Sequence, residues 1–239
     1  MTETTQCTTA VDSLRARAHW YRLLAGVFAE EPQAAFVREL RTEACRGALA
    51  ELGVAFGDDF LRTDEATLLE TLACEYTMLF VAPGGFPPME SVRLEGGLRQ
   101  GAAIRAHACY ASEGLAVEAG RFAGFDDHLA VELEFVAALL ERQAEALEGN
   151  DGQEARRLEK ASKRFWVKHL GRWVRGYAGL VEEASEHSFF REMARLLAAF
   201  AESELELLGL DVDDGDGGRW RAPKPPEATR PVQCGGAGA

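Results

Sequence analysis

Apolar residues recur at helical spacing along most of the chain. Near the N-terminus they fall at i, i+4, i+7, i+11 and i+14, a spacing that forms one stripe from Leu14, Ala18, Tyr21, Ala25 and Phe28. Asp12-Ser13 precedes the stripe and predicts the start of a helix, and Glu30-Glu31-Pro32 predicts its end. The pattern therefore predicts a first amphipathic helix.

Similar stripes predict six more helices. They lie near residues 36–40, 68–79, 102–112, 127–147, 165–181 and 189–208. The sequence has no run of alternating, β-branched residues bounded by hairpin turns. We therefore predict an all-α fold, with residues 1–210 forming a single-domain helical bundle.

The composition changes after residue 210. Residues 211–239 are rich in Asp, Gly and Pro and have few apolar side chains, so they cannot bury enough surface to offset the entropy of ordering. We expect a disordered tail. Cys234 lies in it, and we interpret it as an incidental thiol rather than a redox or attachment site.

A rigid, apolar loop follows the predicted helix over residues 68–79. Pro83, Pro87 and Pro88 cannot continue a helix, and Phe86 and Met89 stand where a simple connecting turn would carry small polar residues. A stiff loop that presents apolar side chains loses little freedom on binding another chain. The stretch supplies no nucleophile, phosphate cradle or metal pair, so it predicts a protein-binding surface.

A second cluster of candidate residues opens the long helix predicted over residues 127–147. Asp126 or Asp127 can cap this helix, and its core-facing stripe comprises Leu129, Leu133, Val136 and Leu140. Glu132 lies inside the apolar arc, one turn after His128, where a carboxylate needs a partner. Two interpretations stay open: a structural bond that fastens the helix, or the edge of a binding groove. A third makes His128 and Glu132 metal ligands, although two ligands do not form a zinc site.

The charge and cysteine content narrow the class of protein. The 239 residues include 26 Lys and Arg against 39 Asp and Glu, a formal net charge of −13. This acidity disfavours nucleic acid and anionic membranes and favours a cationic ligand, although solubility alone explains it equally well. The five cysteines are dispersed, and neither a signal peptide nor a membrane-spanning run is recognised. We expect a cytoplasmic protein without stable membrane insertion.

The order of several short motifs is specific, although no single motif is. They are Glu75-Tyr76-x-x-Leu79-Phe80, Pro83-Gly84, Pro87-Pro88, Glu90-Ser91, Tyr110, Gly114, Asp127-His128-Leu129 and Glu132-Leu133-Glu134-Phe135. Together they resemble the TorD/DmsD family of redox-enzyme maturation chaperones. The resemblance continues weakly to about Leu208. One departure is Asp126, where the family often has proline, and it adds a negative charge beside Asp127.

The resemblance implies a TorD-like, all-helical cytoplasmic chaperone without enzymatic activity, cofactor or metal. Its implied partners are the twin-arginine signal peptide and the apo-catalytic subunit of a molybdenum-cofactor oxidoreductase, which it holds back from Tat export during cofactor insertion. Molybdenum-cofactor biosynthesis proteins are further implied partners, and both monomer and homodimer stay open.

The resemblance also carries over a peptide-binding region, position by position. It comprises Leu79, Phe80, Pro83, Pro87, Pro88, Ser91, Asp127, His128 and Glu132. Asp127 and Glu132 are candidate partners for an arginine fork, so Asp127→Asn should weaken peptide binding. Two other functions stay open: a metal-dependent hydrolase that uses Asp127, His128 and Glu132, and a structural helical subunit of a redox complex.

Overall fold

Ten α-helices form the fold in the described part of the chain. The computed structural model describes residues 2–118, 120, 122 and 124–218, with side chains from Thr8 onward. The helices are α1 Thr2–Ala29, α2 Ala34–Leu40, α3 Glu43–Glu51, α4 Asp58–Leu61, α5 Glu65–Tyr76, α6 Gly101–Ser112, α7 Leu129–Glu148, α8 Gly152–Lys168, α9 Val174–Ala184 and α10 Ser188–Leu208. Two π-helical turns, Thr77–Val81 and Ser91–Glu95, and a 3₁₀ turn, Leu170–Arg172, connect them. These residues contain no β-strand, so the predicted all-α class is confirmed.

The first helix is longer than its sequence pattern predicts. The stripe from Leu14 to Phe28 is buried as expected, and α1 packs along α7. However, α1 begins at Thr2, so the start predicted at Asp12-Ser13 is wrong. Both of these side chains point to solvent, where polar residues are tolerated in a helix and need not act as caps.

Helix α7 lies at the centre of the molecule, between α1 and α8. Its predicted core stripe is buried, and Glu134 is exposed. The predicted cap is wrong: His128 caps the helix, because its Nδ1 accepts a hydrogen bond from the backbone N–H of Ala130 at 3.1 Å. The side chain of Asp127 is instead bonded to the backbone of Ser91.

A buried polar network joins α1, α8 and α10. The Tyr21 hydroxyl donates to Oε2 of Glu204 at 2.6 Å and accepts from Nε1 of Trp166 at 2.8 Å. Arg17 donates two further hydrogen bonds to the Glu204 carboxylate. These contacts satisfy polar groups that would otherwise be costly to bury, and they fix how the three helices meet.

Residues 211–218 pack against the helices. Asp216 is buried and accepts two hydrogen bonds from the guanidinium of Arg93, at 2.8 and 2.5 Å. The N–H of Gly215 donates to the carbonyl of Arg172, and the N–H of Gly176 donates to Asp214. The packed region thus extends past the boundary predicted at residue 210. Residues 219–239, with Cys234, lie outside the described residues.

Hydrophobic helices are present, but none of those in the described ranges combines the length and apolar content needed to cross a bilayer.

Candidate functional site

The proline loop is held in a fixed shape at its base. Helix α5 continues into the π-helical turn Thr77–Val81, which buries Leu79 and Phe80. The chain then reverses, and the N–H of Phe86 donates back to the carbonyl of Leu79. The hydroxyl of Tyr177 on α9 donates to the carbonyl of Phe86 at 3.0 Å. The loop is therefore anchored to the core through its backbone.

The two segments singled out by sequence lie side by side. Met89 and His128 form an antiparallel bridge, with the N–H of Leu129 bonded to the carbonyl of Pro88 at 2.8 Å. The N–H of Ser91 donates to Oδ2 of Asp127 at 2.7 Å. The start of α7 is thus attached directly to the end of the proline loop, and Asp127 is part of the attachment.

A cluster of buried acidic groups lies behind this junction. Glu90 and Glu132 are fully buried, as is His169, whose Nδ1 lies 2.6 Å from Oε2 of Glu90. Nε1 of Trp173 donates to Oε2 of Glu132 at 3.2 Å. The structural interpretation of Glu132 therefore holds in outline, but its partners are Trp173 and Glu90 rather than His128.

Burial and mutual repulsion change the protonation of this cluster. Burial, with the neighbouring Glu90 and Asp127 carboxylates, raises the pKa of Glu132 well above its usual range. Burial opposes a charge on His169, but hydrogen bonds to Cys109 and Glu90 outweigh it and raise the pKa of the imidazole. A proton on Glu132 can be shared with Glu90.

The nine residues predicted to bind a peptide differ in exposure. Pro83 is exposed and Pro87 is half-buried. The other seven are buried: Leu79, Phe80, Pro88, Ser91, Asp127, His128 and Glu132. A peptide on the surface of this conformation would therefore touch the proline loop, and the residues near the start of α7 lie behind it.

The expected metal-dependent hydrolase set is not assembled. Nδ1 of His128 is occupied by the backbone of Ala130, and the carboxylate of Asp127 accepts from Ser91. In the described ranges the His, Cys, Asp and Glu side chains close enough to share an ion are Glu90, Glu132 and His169. Glu132 is the one member of the alternative hydrolase triad that belongs to this set.

An open, acidic groove lies beside the proline loop. We use the name "acidic groove" for this cavity of about 850 Å³, which α5, the π-helical turn and the α9–α10 connection form. Its lining comprises Asp59, Thr67, Glu70, Thr71, Cys74, Glu75, Met78, Leu79, Phe86, Ala184, Glu186 and His187. Four are carboxylates, and this lining contains no Lys or Arg. Met78, at 67% exposure, adds apolar surface.

One imidazole, and no Lys or Arg in the lining, faces the carboxylates of the acidic groove: Nε2 of His187 lies 3.7 Å from Oδ2 of Asp59. Oε1 of Glu75 accepts from the backbone N–H groups of Glu186 and His187, while its Oε2 receives no hydrogen bond from the described residues. Glu70 is exposed and forms no ion pair with them. Burial opposes ionisation of Asp59, but bonds from Ser188 outweigh it and lower its pKa. The lining thus carries four carboxyl groups against one imidazole.

Sequence reasoning missed most of the groove and two members of the buried cluster. In the sequence Glu90 stands out only within the Glu90-Ser91 motif, and no local pattern marks His169 or Trp173 as a neighbour of Glu132. The groove carboxylates come from separate elements, and Glu75 and Glu186 are 111 positions apart in the sequence. The available signal was Glu75 itself, which directly precedes the buried Tyr76 at the end of α5.

Comparison with known protein families identifies the family of this chain. The sequence model described as "Nitrate reductase delta subunit" matches residues 37–178, which include the proline loop, α7 and the buried cluster. The comparison with curated proteins gives no match. The family match extends over more than half of the sequence. The chain therefore belongs to the nitrate reductase delta subunit family, a family of maturation chaperones for molybdoenzymes.

Proposed function

We propose that the chain binds the twin-arginine signal peptide of a molybdoenzyme catalytic subunit in the acidic groove. The observation that carries the proposal is a groove with four carboxylates on an apolar floor, next to a rigid proline loop. A twin-arginine signal peptide combines a cationic end with an apolar run, so its two parts match the two kinds of surface.

The charged part of the proposed complex involves Glu70 and Glu75. Both carboxylates lack an ion-pair partner among the described residues, and they lie one turn or more apart on α5. An arginine fork donates two parallel hydrogen bonds to a carboxylate, which gives direction as well as attraction. The net charge of −13 adds a long-range field that favours approach of a cationic peptide.

The apolar part of the proposed complex involves Met78, Leu79 and Phe86. Met78 is flexible and polarisable, which suits a binding surface that accepts several apolar sequences. Phe86 is half-buried, and its backbone is fixed by Tyr177. A floor that is already ordered loses little entropy when a peptide binds.

The buried members of the predicted region act as positioning residues in this proposal. The backbone N–H of Ser91 donates to Asp127, and His128 caps α7, so these contacts hold the proline loop against the helix. Substituting the buried side chain of Asp127, His128 or Glu132 would therefore alter local geometry rather than remove a peptide contact. The expected loss of affinity in Asp127→Asn therefore arises through loop geometry. Leu79 is the buried member that also lines the groove.

We further propose that binding is reversible and non-enzymatic. The chain would hold the apo-catalytic subunit in the cytoplasm, together with molybdenum-cofactor biosynthesis proteins, and delay Tat export until the cofactor is inserted. Release of the signal peptide would then follow maturation. The family assignment supports the partner class, and the chemistry of the groove supports the peptide.

Calorimetric titration of a synthetic twin-arginine signal peptide tests the proposal. Glu70→Gln/Glu75→Gln should weaken binding about 3- to 20-fold at low salt, because each partly exposed ion pair contributes about 0.2–1 kcal/mol and pairing with arginine adds hydrogen bonds. The amide oxygen that Glu75→Gln introduces can still accept the two backbone hydrogen bonds, so the fold should be retained.

The matched control is Glu51→Gln/Glu206→Gln, which removes two exposed carboxylates outside the groove. It should change affinity less than about twofold. Equal weakening by the two double variants would show that only net charge matters. Undiminished binding of a peptide with both arginines replaced by alanine would also contradict the proposal.

A further inference from the structure

The buried cluster behind the proline loop contains more acid than its hydrogen bonds balance. Glu90, Glu132 and Asp127 are each 0% exposed, and the buried imidazole of His169 lies beside the first two. Ionised carboxylates in a protein interior are costly unless paired or bound to a cation. The cluster therefore needs a positive partner, either protons or a metal ion.

When the three carboxyl groups are ionised, three oxygens of the cluster receive no hydrogen bond from the described residues. They are Oε1 of Glu90, Oε1 of Glu132 and Oδ1 of Asp127. The second oxygen of each carboxylate has a partner: His169, Trp173 and the N–H of Ser91, respectively. The Glu132 and Asp127 carboxylates are thus each held in place through one oxygen while the other is available. For Glu90, binding of Nδ1 of His169 to an ion would replace the hydrogen bond between these two side chains.

We propose that Glu90, Glu132 and His169 bind one divalent first-row transition-metal ion. Their candidate ligand atoms all lie within 4.8 Å of one another. Neighbouring ligands about 2.1 Å from a tetrahedral ion are about 3.4 Å apart, so the side chains need to move inward by about 1 Å to close the site. Two carboxylates and an imidazole are a ligand set that suits Zn²⁺ and Mn²⁺.

Outer-shell contacts of the kind found at metal sites are already present. Nε1 of Trp173 donates to Glu132, which fixes the orientation of that carboxylate. Nδ1 of His169 faces the cluster, and its Nε2 lies 3.8 Å from Sγ of Cys109. Partners on the second nitrogen of a histidine ligand set its tautomer and orientation. Oδ1 of Asp127 can accept a hydrogen bond from a water on the ion.

The charge balance also fits a divalent ion. Two ionised glutamates and a neutral imidazole carry two negative charges, which one divalent ion neutralises. The ion would join the proline-loop junction, α7 and the turn that follows α8, three elements that are far apart in sequence. Its binding would therefore stabilise the surface that lies next to the acidic groove.

Metal titration of the full-length, chelator-treated protein tests the proposal. ZnCl₂ and MnCl₂ are titrated separately by calorimetry and followed by measurement of retained metal after dialysis. We expect one ion per chain for at least one metal. Glu132→Gln and His169→Gln should each weaken binding by more than about 100-fold, since loss of even an outer-shell partner costs about 10- to 100-fold.

Glu134→Gln is the matched control, because it removes an exposed carboxylate from the same helix two residues away. It should bind as the wild type does. No saturable uptake by the wild type would overturn the proposal and leave protons as the neutralising cations. Uptake of equal affinity in wild type and in Glu132→Gln or His169→Gln, whichever folds by circular dichroism, would overturn it as well.

Discussion

Glu132→Gln replaces a fully buried carboxyl group by an amide of nearly the same shape. The amide oxygen can still accept the hydrogen bond from Trp173, and the amide N–H can donate toward Glu90. The variant therefore mimics the protonated form of Glu132 at every pH. Comparing it with the wild type isolates the effect of ionising this one group.

The sign of the pH effect follows from the raised pKa. Burial, Glu90 and Asp127 raise the folded-state pKa of Glu132 well above its value of about 4.3 in an unfolded chain. The folded state then holds a proton that the unfolded state has lost. Stability from this group is fully present below about pH 4.3 and is lost as pH rises through the folded pKa, by up to about 1.4 kcal/mol per pH unit.

Urea unfolding at half-unit steps from pH 4.5 to 7, with a chelator present, measures this contribution. The free energy of unfolding of Glu132→Gln, minus that of the wild type, should increase with pH by about 1 kcal/mol per unit or more. Glu134→Gln controls for the loss of one negative charge and should follow the wild type. A difference that is constant to within about 0.3 kcal/mol, or one that decreases with pH, would refute the reasoning.

Three further predictions concern contacts around the site. Asp216→Ala removes a bidentate partner of the buried Arg93 and should lower the free energy of unfolding in urea by about 3–5 kcal/mol. Asp213→Ala, at an exposed position, should lower it by less than about 0.5 kcal/mol, and equal losses would contradict the packing of residues 211–218. Tyr21→Phe deprives Trp166 and Glu204 of a buried partner and should cost about 1–3 kcal/mol by the same assay; a cost near zero would contradict the network. Gly85→Ala places a Cβ 2.7 Å from the carbonyl oxygen of Met78, so the proline loop must shift and peptide affinity measured by calorimetry should fall. Gly47→Ala adds a Cβ that meets no atom within 4 Å and should leave peptide affinity unchanged, and equal affinities of the two variants would argue against a rigid loop.

Local periodicity predicted seven helices and much of their burial, but it missed α3 and α4, and the helix predicted over residues 165–181 is divided between α8 and α9 by a 3₁₀ turn. Leu129, Leu133, Val136 and Leu140 recur at helical spacing because one face of α7 lies against the core, and all four are buried. The same argument placed Glu132 inside the apolar arc, where the structure has it. Short-range spacing suffices for this prediction because the direction of a side chain around the helix axis follows from its position in the sequence.

The partners of the buried groups could not be predicted in the same way. Glu90 and His169 are 79 positions apart, and no local pattern indicates which distant side chain will face a given carboxylate. The cap of α7 was misassigned for a related reason: the side chain of Asp127 bonds to Ser91 of another element, which leaves His128 to cap the helix. Tertiary contacts override local preference at both positions.

Composition alone did not predict the order of residues 211–218. Residues 211–218 contain few apolar side chains, which predicts disorder, yet Asp216 is held by Arg93 from 123 positions away. A buried bidentate ion pair and backbone hydrogen bonds offset the entropy of ordering this short segment.

Photocrosslinking tests most directly whether a twin-arginine signal peptide occupies the acidic groove. A photoreactive phenylalanine analogue is introduced at Met78, which lines the groove, or at Ile104, which is 70% exposed on α6 outside it. The account predicts that the peptide crosslinks at position 78, that unlabelled peptide competes, and that a twin-alanine peptide crosslinks far less. Equal crosslinking at both positions, or capture of the twin-alanine peptide at position 78 as efficiently, would contradict it.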